Sequence, residues 1–535
     1  MFNERSVLFN MSDKLNANYI LELKLKTNKN QEAILNKRFL IAENMQNKVI
    51  KYAINQINEL RKNKLYKKFL KLYLDEKDPN LKKYYSDELT KIRREFKLTK
   101  TDLEKYIKVQ QHLYKSHIDS TTAQKLADNV WRGVQKVLFS NGKKLHFKKR
   151  FSLISLEGKS NKTGIMFKLD TKMLIWNNLQ IPAKIRKNDL YVKEALLNPN
   201  MKKRIRYCRI IRKPFKHGFK YFLQIVLGGT PPIKKVAIKN KEGEITKIVK
   251  RNFIGKGRVG LDIGTSTIAI TSKTKVVLEE LAKNVKKYDI EIAKLSQSLE
   301  RKRKQANPDN YNIDGTIKKG SKKWIKTKGY IKTLLCLKDM YRQKSTYIKL
   351  EHSKLANFIL SLGTDIYVET MDFKALAKRA KKQRERSEKL SIINDKHGNK
   401  KSVYKYKKKK RFGKSITNKA PSSLISIIDR KLSYIGKNIE KINTCTFKAS
   451  KYNHVTNKYE KPTLSDRWKN INGNEIQRDL YSAFLLMNSN KSKTKSNRKE
   501  CISNFDNFLK LHNEEIERLK TLKSKGIKHP KSFGL

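Results

Sequence analysis

Cysteine is scarce. Cys208, Cys336, Cys445 and Cys501 are the only four in 535 residues, widely spaced and without a CxxC pair. That excludes a disulfide framework and fits a reducing compartment. No apolar run approaches the ~18 residues of a membrane span. Met1 to Lys14 lacks the apolar stretch behind basic residues that marks a secretory leader. The expectation is a cytoplasmic protein with no membrane partner. Acidic residues are also few: Asp and Glu number 49 against 124 Lys and Arg, a net charge of +75. Such a field opposes compaction unless an anion neutralises it. An enzyme for a small acidic substrate needs a basic pocket and not a basic chain, so no small-molecule substrate is expected. A long polyanion, nucleic acid, is the expected partner. Apolar residues make up 38%, below the roughly 45–50% of globular domains. Aromatics at 9% and long periodic segments still support sizeable cores. At ~150 residues per domain, three or four domains are expected.

The periodicity changes along the chain. Residues 19–27 alternate, with Leu21, Leu23 and Leu25 on one face, and predict a strand. From 30 to about 140 the spacing is helical, as in Phe39, Ile41, Met45, Val49, Ala53, Ile57 and Leu60. From 144 short strands follow, among them 167–176, 204–213 and the nearly continuous apolar run 221–227. A β-rich domain of 1–29 and 144–255, interrupted by a helical domain of 30–143, accounts for this. A third region opens at VGLDIGTSTIAI (259–270) and continues with basic helices, the strand TDIYVE (364–369), a helix from Pro421, and a strand near 441–447. It closes with a helix at 477–488 and a basic tail, 489–535.

Three acids stand out by their setting. Asp262 sits between apolar residues at a strand end, and Gly264 lets the chain turn behind it. Glu369 ends the strand Ile366–Val368. Asp479 opens a helix striped by Leu480, Ala483, Phe484 and Met487. Alone, Asp262 reads equally well as a turn or cap residue, Glu369 as a solvated strand end, and Asp479 still better as an ordinary first-turn acid of a helix. Asp372 and Asp466 are rival carboxylates that read better as caps. Together, at nearly equal intervals of sequence, the three predict a convergence at one sheet edge. Three carboxylates there would hold two Mg²⁺ (or Mn²⁺) ions through oxygen ligands and hydrolyse a phosphodiester.

GLDIG, YVET and QRDLYSAF resemble the three motifs of RuvC-like nucleases, which have an RNase H-like fold. Most of the chain resembles the TnpB family of insertion-sequence proteins, often described as transposases. HFKKRFSLISLEG (146–158), GKSITNKAPSSLISIIDRKLSY (413–434) and LSDRW (464–468) carry the wider likeness. The resemblance implies a multidomain α/β protein with a RuvC-like nuclease domain, 256–488. It also implies a β-barrel-like wedge domain and an inserted helical recognition domain. The activity implied is RNA-guided DNA cleavage, with Asp262, Glu369 and Asp479 as catalytic metal ligands and guide RNA and double-stranded DNA as partners. Type V CRISPR effectors share these motifs, so a compact effector is the alternative. A non-cleaving DNA-binding regulator and an unguided transposase are others.

The family usually carries a four-cysteine zinc ribbon before the last Asp. Here 449–476 is a degenerate insertion: the stretch 444–475 offers only Cys445 and His454, too few ligands, so no zinc is expected. Cys445 reads as a small core residue in a strand. Ser482 stands where many relatives have Asn. For nucleic-acid contacts, Arg206, Arg209, Arg212 and Lys213 alternate with Ile205, Cys208, Ile210 and Ile211, predicting a basic strand face. Lys405, Tyr406, Lys408, Lys410 and Arg411 mix charge with aromatics suited to backbone neutralisation and stacking. GLDIGT also resembles the phosphate hairpin of actin-like ATPases. Its late position, the absence of a later Gly-rich loop and the charge oppose that reading.

Overall fold

The computed structural model describes residues 18–140, 142–186, 189–196, 204–240, 242, 245–320, 322–377, 386–394, 400–406, 412–460, 463 and 466–535. The chain divides into two compact units, Met1–Lys235 and Val236–Leu535.

In the first unit, β1 (Asn18–Leu25) precedes α1 (Lys29–Lys62), α2 (Lys64–Asp75), α3 (Pro79–Glu95), α4 (Lys100–Leu113) and α5 (Ser120–Phe139). Their starts are encoded locally. Asn28 and Gln31 form a capping box, as do Thr99 and Asp102; Asn63, Asp78 and Asp119 cap the other three, with Pro79 opening its helix. The strands are β2 (Ser155–Glu157), β3 (Met166–Lys168), β4 (Met173–Trp176) and β5 (Leu179–Lys184). A short helix, α6 (Leu190–Leu196), then leads to β6 (Ile205–Phe215) and β7 (Gly218–Gly228). They build one seven-stranded sheet in the order β2-β6-β7-β1-β5-β4-β3. β1 is its central strand, antiparallel to β7 on one side and β5 on the other. Its alternation puts Tyr19, Leu21, Leu23 and Leu25 inside, in one core with Leu35, Phe39 and Val49 of α1. Arg38 ties the helices to the sheet: it lies 4.4 Å over the Trp176 ring and donates to the Trp176 carbonyl at 2.9 Å.

In the second unit a hairpin of β8 (Lys235–Lys239) and β9 (Ile245–Lys250) comes first. Then follow β10 (Arg258–Ile263), β11 (Thr267–Ser272), β12 (Val276–Glu280), α7 (Lys286–Gln305), α8 (Lys328–Leu362) and β13 (Asp365–Glu369). After α9 (Phe373–Ala377) and the paired strands β14 (Arg386–Asn394) and β15 (Lys400–Tyr406) come α10 (Gly413–Lys419), α11 (Pro421–Ser433) and β16 (Glu440–Ile442). The chain continues with α12 (Thr444–Phe447), two small hairpins, β17 (Tyr452–Asn453) with β18 (Lys458–Tyr459) and β19 (Trp468–Ile471) with β20 (Asn474–Gln477), and ends with α13 (Arg478–Met487) and α14 (Arg498–Ser524).

The main sheet has the order β12-β11-β10-β13-β16. β10, β11 and β12 run antiparallel, whereas β13 and β16 run parallel to β10. Strand alternation decides which helix covers which face. Val259, Leu261 and Ile263 pack with Ile359 and Leu360 of α8 and with Leu424 and Ile428 of α11. The other face meets α13, and Gly260 makes room for it: a Cβ there would lie 1.9 Å from the Ala483 carbonyl oxygen. The sheet is therefore sandwiched between helices. The tail region is no appendage, since Cys501, Phe505, Phe508, Ile516 and Leu519 of α14 share a core with Leu480, Tyr481 and Phe484 of α13.

Candidate active site

Parallel pairing sets the first two carboxylates. Leu261 lies opposite Val368, the last pair of the β10–β13 register. Asp262 and Glu369 occupy the next step, on strands ~4.8 Å apart, and their side chains leave the same face. It is the face of Gly260, which α13 covers. From Ala483 back to Asp479 the helix rises ~6 Å, while Gly260 to Asp262 spans ~7 Å of strand. The start of α13 thus overhangs the strand ends. Thr271 Oγ1, donating to the Leu480 carbonyl at 3.3 Å, pins this turn.

All three acids are half-buried. Burial pushes the Asp262 carboxyl well above the usual carboxylate range, and the negative charges of Asp479 and Glu369 push it further; Arg478 opposes them. Those couplings bring the three together electrostatically. Glu369 is pushed up to about 7 by burial, against the Ala449 backbone N–H, which donates to it. Arg478 lies with Nη2 3.3 Å from Asp479 Oδ1 and donates through Nη1 to the Asp466 carbonyl at 2.9 Å. Ser482 is buried and returns its hydroxyl to the Arg478 carbonyl at 3.0 Å.

Among the described residues no three His, Cys, Asp or Glu side chains stand ready around one point as a metal cage. The donor chemistry still fits a hard divalent cation. The three groups supply carboxylate oxygens only, keep some access to water, and accumulate negative charge with one arginine beside them. The rival acids behave as caps. Asp372 accepts from the Ala375 amide at 2.9 Å, and Asp466 accepts from the Thr463 amide and hydroxyl at 2.8 and 2.7 Å.

The ribbon position holds an aromatic clasp. The Tyr481 hydroxyl lies 2.7 Å from His454 Nδ1 and accepts from the His454 amide at 3.1 Å. The His454 ring packs against Phe505 with centroids 4.7 Å apart, and Arg498 donates to the carbonyls of His454 and Val455, each at 2.9 Å. Burial pulls His454 down to about 4, so its imidazole is neutral at physiological pH. Cys445 corrects the sequence reading. It is exposed on α12 and not buried in a strand, because β16 stops at Ile442 and Asn443 caps a helical turn through the Cys445 amide. Sequence reading also missed Arg478 and the Ala449 amide; the only signal was their adjacency to Asp479 and to the 450–475 loop.

The basic strand face is broken up. Arg206 is exposed. Arg209 faces Glu157 at 3.9 Å, and Lys213 pairs with Glu22. Arg212 is a correction: only 2% exposed, it lies over Phe39 and Phe219 at 4.5 and 4.9 Å, and its Nε donates to the Leu153 carbonyl at 2.8 Å. A bulge between Ile205 and Tyr207 shifts the alternation and turns it inward. Lys405 and Tyr406 end β15, while Lys408, Lys410 and Arg411 lie outside the described residues. No helix among the described residues is long and apolar enough to cross a membrane.

No protein-family model matches the chain, and no curated protein matches it. Among solved structures, it aligns with a Cas12f1–sgRNA–target DNA complex at 10% identity and a TM-score of 0.36, covering 88% of this chain and 99% of that one. A CRISPR–Cas12f ternary complex aligns at 11% identity and a TM-score of 0.22, covering 88% and 87%. Overlaps this slight define neither a family nor a shared fold.

Proposed function

We propose that this chain is a divalent-metal-dependent nuclease of the RuvC-like type, acting on DNA under the direction of a bound RNA. One observation supports the chemistry above the rest: Asp262 and Glu369 stand at the same register step of adjacent parallel strands, beneath the helix start that carries Asp479. The net charge of +75 supplies the field for a nucleic-acid substrate. When bound, Mg²⁺ or Mn²⁺ would activate water and stabilise the leaving oxygen of the phosphodiester. Asp262, whose carboxyl feels both Asp479 and Glu369, would hold the metal together with them. The Ala449 amide orients the Glu369 carboxylate, and Arg478 steadies Asp479. RNA guidance rests on the motif likeness. A TnpB-like transposon nuclease is the finer reading, with the compact type V CRISPR effector beside it.

The test is purification from cells carrying the native locus, sequencing of the co-purified RNA, and cleavage assays on matching DNA. Asp262→Asn, Glu369→Gln and Asp479→Asn should each abolish Mg²⁺-dependent cutting while nucleic-acid binding persists. Asp262→Ala protein that still cuts with the same metal dependence sinks the reading. An RNA from a transposon end favours the first source, and a repeat-derived RNA the second.

A further inference from the structure

A second cleft in the same unit lies away from the carboxylates. It has a volume of about 630 Å³ and is lined by Lys256 and Arg258 at the start of β10, Lys273 and Thr274 after β11, and the first turns of α14. Asp262 is four residues further along β10, ~13 Å away along the strand. Met487 and Asn488, which also line the cleft, end the helix that Asp479 begins. The cleft and the carboxylates thus occupy opposite ends of the same strand and helix.

Its charge is not the diffuse charge of the chain. Arg258 is the only lining cation with an acidic partner among the described residues: its Nη1 donates to Glu500 Oε2 at 2.7 Å, which consumes the one lining carboxylate. Lys256, Lys273 and Lys499 line the cleft, are exposed, and form no ion pair among the described residues. Thr274, Ser503 and Asn504 add hydrogen-bonding side chains between them. Three exposed lysines without an ion pair among the described residues, beside these hydrogen-bonding side chains, suit successive phosphates, each with its own counter-charge. The volume lies in the ~300–1,000 Å³ range of pockets that hold small ligands, too small to enclose a duplex. A few nucleotides of a single strand fit it.

We propose that this cleft is a binding site for the phosphate backbone of single-stranded nucleic acid, separate from the cutting site. RNA and DNA offer the same phosphodiester chemistry. The inference needs no cleavage, so it can fail while the nuclease reading stands, and the reverse.

The experiment uses the full chain. Fluorescent uridine and thymidine homopolymers are titrated across a KCl series with wild-type protein, with Lys256→Ser/Lys273→Ser/Lys499→Ser, and with the control Lys286→Ser/Lys287→Ser/Lys349→Ser. Each single-strand phosphate released removes ~0.7 from the log–log salt slope. The cleft variant should therefore lose about 2 in slope beyond the control for the strand type that occupies it. In parallel, Ser503→p-benzoylphenylalanine is irradiated with each homopolymer and should crosslink to the same one. A crosslink to RNA alone, to DNA alone or to both identifies the strand. The proposal fails unless slope loss and crosslink are both seen; equal slope loss in the control overturns it even with a crosslink.

Discussion

Replacing Gly260 by Ala should uncouple cutting from binding. The added Cβ would lie 1.9 Å from the Ala483 carbonyl oxygen and 2.6 Å from the Met487 amide nitrogen. Both are backbone atoms of α13, so no rotamer change can clear the clash. Restoring ordinary contact requires strand and helix to separate by about 1.5 Å. Overpacking of this kind costs ~1–3 kcal/mol of stability. The catalytic effect should be larger in proportion, because Asp479 moves with α13 while Asp262 and Glu369 stay on the sheet. A displacement near 1 Å costs on the order of 10²-fold in rate. The assay is single-turnover DNA cleavage in Mg²⁺, with nucleic-acid affinity and thermal melting measured on the same preparation. Gly329→Ala is the control, since a Cβ there meets nothing within 4 Å. Gly260→Ala protein that melts cooperatively and cuts at the wild-type rate would refute the packing of α13 on this strand as the device that brings the third carboxylate in.

Other perturbations have equally definite outcomes. Without divalent ions, Glu369 binds its proton up to about pH 7 when folded, but only to about 4.5 when unfolded. Folded protein therefore holds more protons in that window, and stability should fall as pH rises through it, by ~3 kcal/mol at most. Glu369→Gln should flatten this slope and raise the melting temperature at pH 8 more than at pH 5; an unchanged slope contradicts it. Tyr481→Phe leaves the His454 amide and Nδ1 without their partner and should cost about 1–3 kcal/mol by denaturant melting. Elemental analysis should find no stoichiometric zinc, and a zinc chelator should not shift the melting temperature. Arg212→Ala should destabilise by ~3–5 kcal/mol, because Glu43, 3.7 Å away, stays buried without its cation, keeping only the Ser152 and Leu153 amides. Arg206→Ala should leave stability unchanged and weaken nucleic-acid binding, measured by anisotropy.

The elements that pattern alone can specify were legible. β1 alternates strictly and α1 keeps its apolar stripe, so period and caps suffice for both. The acids at 262 and 369 stand out in sequence because carboxylates among apolar strand residues are costly unless used, and Asp479 because it opens an apolar helix. What brings them together was not. The parallel register of β10 with β13 and the close approach at Gly260 are long-range facts that no local pattern encodes. Arg212 failed for a related reason: one bulge in β6 reverses which residues face inward, and an arginine among phenylalanines reads in sequence like any other basic residue. Cys445 failed because Asn443 ends the strand with a helical cap after only three residues. The clasp of His454 with Tyr481 joins two segments whose partnership only the packing of α14 reveals.

The central position of β1 has a consequence for synthesis. The strand leaves the ribosome before either neighbour exists. β5 comes after the five helices, and β7, which pairs with it from Asn18 to Lys24, is made last of the seven. Loop closure over such a span is entropically slow. The helices of 29–139 can fold in the meantime as a unit rich in local contacts. Until β5 has emerged the strand carrying Leu21, Leu23 and Leu25 is open on both sides, and its β7 side stays open until Gly228, an unpaired apolar edge prone to aggregation. Slowing translation between codons 140 and 228 should therefore lower soluble yield more than the same slowing after 228.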